Sequence, residues 1–184
     1  SIAMKLKLFG CPALRRELFL LASFSPHEID VEILPAPSGA ALLQDRIEGT
    51  QGYDYILPCV GSRLSEGLSA AGIPLVIPRA HNCAHLLLGS LDRYHRAFSE
   101  NDDEPRWQLE GECSAMSAAH GTPCTVIDTL FTGLVPAQEG REYAADLSLL
   151  RDYLNGCWDA RFLTVHPGER AVQDPVEILA AEPA

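Results

Sequence analysis

The chain has 184 residues, a length that fits one domain with a substantial core. It is 47% hydrophobic and 21% charged, which is ordinary for a soluble globular protein and excludes a disordered or low-complexity chain. No apolar run reaches the roughly 18 residues of a membrane-spanning helix, and a formal net charge of −11 disfavours nucleic acid as a partner.

Ser1-Ile2-Ala3 ahead of Met4 reads as an expression remnant, leaving residues 4–184 as a single α/β domain. The first strand is expected over Lys5–Phe9. A helix follows from Pro12, a favoured first helical residue, to about Ser23. A second strand spans Asp30–Leu34 and a helix covers Ala40–Glu48, stopped by Gly49. A third strand spans Tyr53–Leu57 and a third helix covers Arg63–Ala71. The fourth strand, Pro74–Ile77, leads into a long helix from Asn82 to about Phe98, with Leu87, Leu91, Tyr94 and Phe98 on helical spacing. Residues 99–111, polar and acidic at Glu100, Asp102, Asp103 and Glu104, read as a mobile surface insertion, and Glu112–Ala119 as a short helix. A fifth strand over Thr125–Phe131, a helix over Arg141–Asn155 and a sixth strand over Arg161–Val165 complete the pattern, with an edge strand at Ala171–Val172. Alternating short strands and helices predict one open, mainly parallel sheet with helices on both faces, Rossmann-like in outline. Gly10-Cys11-Pro12 does not match the dinucleotide fingerprint and there is no P-loop, so neither NAD nor ATP is expected.

Three of the six cysteines stand where a strand gives way to a helix: Cys11, Cys59 and Cys83. Open parallel sheets bind ligands just beyond the carboxyl ends of their strands. The richest stretch, Pro78–Ser90, adds Arg79, His81 and His85 around Cys83. Thiolate and imidazole are ligands for zinc or iron, including an iron–sulfur cluster, so Cys11, Cys59, His81 and Cys83 form a candidate metal set. Arg79 and Arg15 are candidates to bind an anionic small molecule. Cys124 and Cys157 read as small buried apolar residues. Absence of a signal-peptide pattern and of CxxC pairs leads to the expectation of reduced thiols in the cytoplasm.

Four segments carry a family resemblance: Cys11-Pro12-Ala13-Leu14-Arg15-Arg16-Glu17, Tyr53–Gly61, Pro78–Ser90 and Phe162–Gly168. In them the chain resembles a divergent member of the family called domain of unknown function 1638. That family reads Cys-Gly where this chain has Cys11-Pro12, and His-Asp-Cys where it has His81-Asn82-Cys83. Val60 is inserted between Cys59 and Gly61, and His166 replaces a proline before Pro167. The resemblance implies an α/β fold and an association with methyl transfer or one-carbon metabolism. It also implies a corrinoid-system protein as partner, although the chain has no DxHxxG stretch of its own.

Three functions fit this sequence. The first is a metal-binding protein using Cys11, Cys59, His81 and Cys83. The second is a metal-free cysteine enzyme, with Cys83 or Cys11 as nucleophile, His81 as base and Arg79 as anion clamp. The third is a module that binds a small anion at helix N-termini without chemistry.

Overall fold

The computed structural model describes residues 3–35, 39–65, 67–80, 83–99, 107–109, 125–128, 133–136, 145–158 and 163–165. Three parallel strands form its centre: β1 (Lys5–Gly10), β2 (Glu28–Ile33) and β3 (Tyr55–Cys59), in the order β2-β1-β3. Gly10 lies opposite Ile33 on one side and Cys59 on the other, which sets the carboxyl ends of these strands level. Next to β3 lies β4 (Val76–Pro78), joined to it by a parallel bridge between Ile56 and Leu75. The final strand, β8 (Leu163–Val165), pairs with β4 in the antiparallel direction.

Residue alternation along the strands explains the two faces. Leu6 and Leu8 of β1, Leu57 and Cys59 of β3, and Val76 of β4 belong to one buried cluster. Helices α1 (Arg15–Phe24), α4 (Cys83–Leu88) and α6 (Ser148–Leu154) cover that face, contributing Leu18, Leu86–Leu88, and Leu149, Leu150, Tyr153 and Leu154, with Leu14 from the turn that opens α1. Phe9, Ile56, Leu75 and Ile77 belong to the second cluster, closed by Leu43 and Ile47 of α2 (Ala40–Glu48) and by Leu68 beyond the short α3 (Ser62–Ser65). Both faces of an open parallel sheet are therefore covered by helices, as the strand–helix alternation predicts.

Three departures from the sequence pattern have local causes. The single long helix over 82–98 is two helices, α4 and α5 (Leu91–Ser99). Gly89, at φ +79°, ends α4, and the Ser90 hydroxyl accepts a hydrogen bond from the Arg93 N–H to start α5. The third helix is four residues long, because Gly67 turns at φ +81° well before Gly72. The fifth strand does not join the main sheet. Thr125–Asp128 (β6) pairs in parallel with β5 (Trp107–Leu109) and antiparallel with β7 (Gly133–Pro136), forming a separate three-stranded sheet. The expected insertion at 99–111 thus contains a strand; the rest of it beyond Ser99 lies outside the described residues, as do the expected helix over 112–119 and the edge strand at Ala171–Val172.

Two polar clasps hold α6 in place. At its end, Gly156 (φ +74°) and Cys157 return hydrogen bonds to the carbonyls of Tyr153 and Asp152, a Schellman ending. His27, 8% exposed, accepts from the Met4 N–H at Nδ1 and meets the Asn155 carbonyl through Nε2 at 2.9 Å, so the neutral ring carries its proton on Nε2. At its start, the Asp146 N–H donates to the Leu87 carbonyl at the end of α4, and the Asp146 carboxylate accepts from the Ser148 N–H.

Burial alone would raise the Asp146 carboxyl, but the Ser148 hydrogen bonds and the charges of Arg93 and Arg151 outweigh it and hold the group below its ordinary value of 3.8. A carboxyl lowered on folding contributes stability above its unfolded pKa and loses it as pH falls through the folded value. The difference in urea midpoint between wild type and Asp146→Asn should therefore shrink between about pH 6 and about pH 3. Because the side chain is 46% exposed, the effect should stay within about 1 kcal/mol.

Candidate functional site

The carboxyl end of β1 is shaped by Gly10, Cys11 and Pro12. A Cβ on Gly10 would collide with Cδ1 of Leu18, so glycine lets α1 lie directly against the strand end. Cys11 precedes a proline, which excludes it from helical backbone and holds it extended, at φ −86° and ψ 155°. Its carbonyl then accepts from the Leu14 N–H in the 3-10 turn that opens α1. The Cys11 side chain is thus held on the α1 side of the sheet, packed against the first core cluster.

Strands β3 and β4 leave the sheet in the same manner. The Val60 N–H returns to the Pro58 carbonyl, and the Ala80 N–H to the Pro78 carbonyl, each a three-residue turn. Cys59 is the central residue of the first turn and Arg79 of the second. Arg79, not Cys83, therefore occupies on β4 the place that Cys59 occupies on β3. Cys83 enters from the first residue of α4 instead.

The outcome at the strand ends is a close pair of thiols. Cys11 Sγ and Cys83 Sγ lie 3.1 Å apart, and either can donate its proton to the other. Both residues are half-buried. Cys59 is fully buried beside them: burial pushes its thiol well above the ordinary cysteine range, and the neighbouring Cys11 sulfur pushes it the same way. Tyr153, also fully buried and in the same core cluster as Cys59, has its hydroxyl raised first by burial and then by the charge of Cys59. The Tyr153 hydroxyl donates to the Val76 carbonyl at 2.7 Å, fixing α6 to β4 under the site.

Tyr153→Phe removes that donor and leaves a buried carbonyl unsatisfied. It should cost about 1–3 kcal/mol, read as a lower denaturant midpoint at unchanged slope.

The candidate residues therefore fare differently. Cys11 and Cys83 come together, and Cys59 lies at the same strand ends beside Cys11. His81 lies outside the described residues, as do His166, Cys113 and Cys124. Among the described residues, no three or more His, Cys, Asp or Glu side chains are grouped to hold a metal ion. Arg79 is half-buried at the end of β4. Arg15 is exposed on α1, its guanidinium 5.5 Å from the Phe19 ring centroid, turned to an aromatic neighbour on its own helix. Cys157 is exposed, against the expectation of a buried residue, because it follows the Schellman glycine and leaves the helix on the solvent side.

Three buried polar residues lie near these elements. Glu17 is 1% exposed on the core-facing stripe of α1, with Arg16 Nε 3.5 Å from its carboxylate. His85 is 1% exposed and stacks on Tyr94 at 5.5 Å between ring centroids. Tyr153 carries a legible signal as core, through Leu149, Leu150, Tyr153 and Leu154 on one helical stripe, but nothing in sequence ties it to Cys59.

No protein-family model, curated protein or solved structure matches the chain. Among the described residues, no helix is long and apolar enough to cross a membrane.

Proposed function

We propose that the protein binds a soft metal ion, zinc or iron, through the Cys11–Cys83 pair at the carboxyl ends of the strands. The observation that carries this reading is the 3.1 Å approach of the two sulfurs from different elements. Two thiolates on one tetrahedral zinc, each bonded at about 2.3 Å, stand about 3.8 Å apart. The pair needs to open by well under one ångström to reach that edge, a movement within reach of side-chain rotation. Sulfur donors favour zinc or iron over magnesium or calcium.

Cys59 and His81 are the proposed further ligands. Burial keeps the Cys59 thiol protonated, so it joins a metal only when the ion's charge offsets the cost of a buried thiolate. Arg79 gives the rim a cation suited to an anionic small molecule. The resemblance to domain of unknown function 1638 supports a link to methyl transfer or one-carbon metabolism, with a corrinoid-system protein as the proposed partner.

Elemental analysis of the full chain, purified without oxygen, tests the proposal. About one zinc or iron per chain, lost on titration with a chelator, is the expected result. A fully reduced protein that neither retains metal nor takes up added zinc or ferrous ion would refute it, and would leave metal-free cysteine chemistry at the same pair.

A further inference from the structure

We infer that Cys11 and Cys83 form a reversible intramolecular disulfide, so that the strand-end site is open only while the chain is reduced. The inference does not depend on a metal. It stands on the placement of the two sulfurs and on the contrast with the other described cysteines.

The sulfurs are 3.1 Å apart, and a disulfide needs about 2.05 Å. The remaining approach is about 1 Å and calls for no change in strand pairing. Cys11 sits in the link between β1 and α1, and Cys83 on the first residue of α4, so neither is locked inside a sheet ladder. Both are half-buried, which leaves a path for a small oxidant. The two cysteines are 72 positions apart, so the bond closes a long loop and removes much freedom from the unfolded chain.

Cys59 is excluded from the exchange by its surroundings. It is 0% exposed, whereas exchange requires a sulfur that an oxidant can reach. Cys157 is exposed, but it lies at the far end of α6, after the helix's Schellman turn.

The reaction balances with a low-molecular-weight disulfide as oxidant. The thiolate of one cysteine of the pair attacks that disulfide, forms a mixed disulfide and releases one small thiol. The sulfur 3.1 Å away then attacks the protein-side sulfur and releases the second small thiol. The protein gives up two electrons and two protons, both protons ending on the released thiols.

The test uses the full chain equilibrated in mixtures of oxidised and reduced glutathione, then quenched, alkylated after unfolding and mapped without reduction. The expected result is one linked peptide pair joining Cys11 to Cys83, with the monomer, before alkylation, lighter by two hydrogen atoms. Cys59 should remain fully alkylated, and added reductant should restore both thiols. Absence of the Cys11–Cys83 link at the most oxidising mixture, whatever other cysteines have reacted, overturns the inference. Because the wild-type chain carries the result, failure of a cysteine variant to fold does not obscure it. Metal uptake by the reduced chain is a separate measurement: a chain that forms the bond but takes up no metal sinks the proposed function and leaves the disulfide standing, and the reverse outcome does the opposite.

Discussion

Cys83→Ser should lower zinc or iron affinity by more than about 100-fold. Loss of a residue that merely orients a ligand already costs about 10–100-fold, and this change removes a ligand atom itself. Serine keeps the shape of the side chain but offers a hard oxygen that stays protonated at neutral pH, a poor match for a soft ion. Cys11→Ser should behave alike, because its sulfur is the other member of the 3.1 Å pair. Cys157→Ser, on the exposed end of α6, should leave affinity unchanged and serves as the control. Cys59→Ala separates a two-sulfur site from a three-sulfur one: a further drop in affinity assigns Cys59 to the ion, and wild-type affinity restricts it to the core. Binding must displace thiol protons, so the wild-type affinity should fall as pH is lowered. Competition with a chromophoric chelator reads all of these, and wild-type affinity in both Cys83→Ser and Cys11→Ser would end the metal proposal.

Much of this site was legible because local signals fix strand ends. A short apolar run stopped by Gly10-Cys11-Pro12 leaves little choice of where β1 ends, and the level register of Gly10 with Cys59 follows from parallel pairing. The α2 helix matches its predicted span, Ala40–Glu48, because it lies between Gly39 and Gly49. What pattern could not supply was partnership. The apolar run ending at Val165 looks the same whether its strand runs with β4 or against it, and it runs against it. The runs at Trp107–Leu109 and Gly133–Pro136 are three and four residues long, too short to show a period, so the two outer strands of the small second sheet had no signal of their own. Cys59 and Cys83 looked equivalent because both follow strands. The turn at Pro78–Ala80 shows that Arg79 is the counterpart of Cys59. The signal that splits the long predicted helix, Gly89 followed by Ser90, is plainly in the sequence, and leucine periodicity masked it.

Gly89→Ala should be among the most damaging single-methyl changes in the chain, for two separable reasons. The residue sits at φ +79°, a conformation that costs an L-residue about 1–2 kcal/mol. Its Cβ would also strike the Asp146 carbonyl and come to 3.0 Å from Asp146 Cβ and Cγ. Backbone cannot swing aside as a flexible side chain can, so overpacking should add about 1–3 kcal/mol. The Asp146 N–H is bonded to the Leu87 carbonyl, so the collision pushes apart the end of α4 and the start of α6. Gly52→Ala isolates the first cause: Gly52 has φ +82° and no atom within 4 Å of its Cβ position. Denaturant unfolding should therefore rank Gly89→Ala as the less stable of the two by the steric part alone. The same strain bears on the site, because α4 carries Cys83 and α6 carries Tyr153, which shares a buried cluster with Cys59. In Gly89→Ala the Cys11–Cys83 disulfide should form to a lesser extent in a given glutathione mixture, while Gly52→Ala, remote from α4 in the chain, should match wild type. Equal stability of the two variants would show that Asp146 yields without cost, and would remove the contact as the clamp that sets α4 against the strand ends.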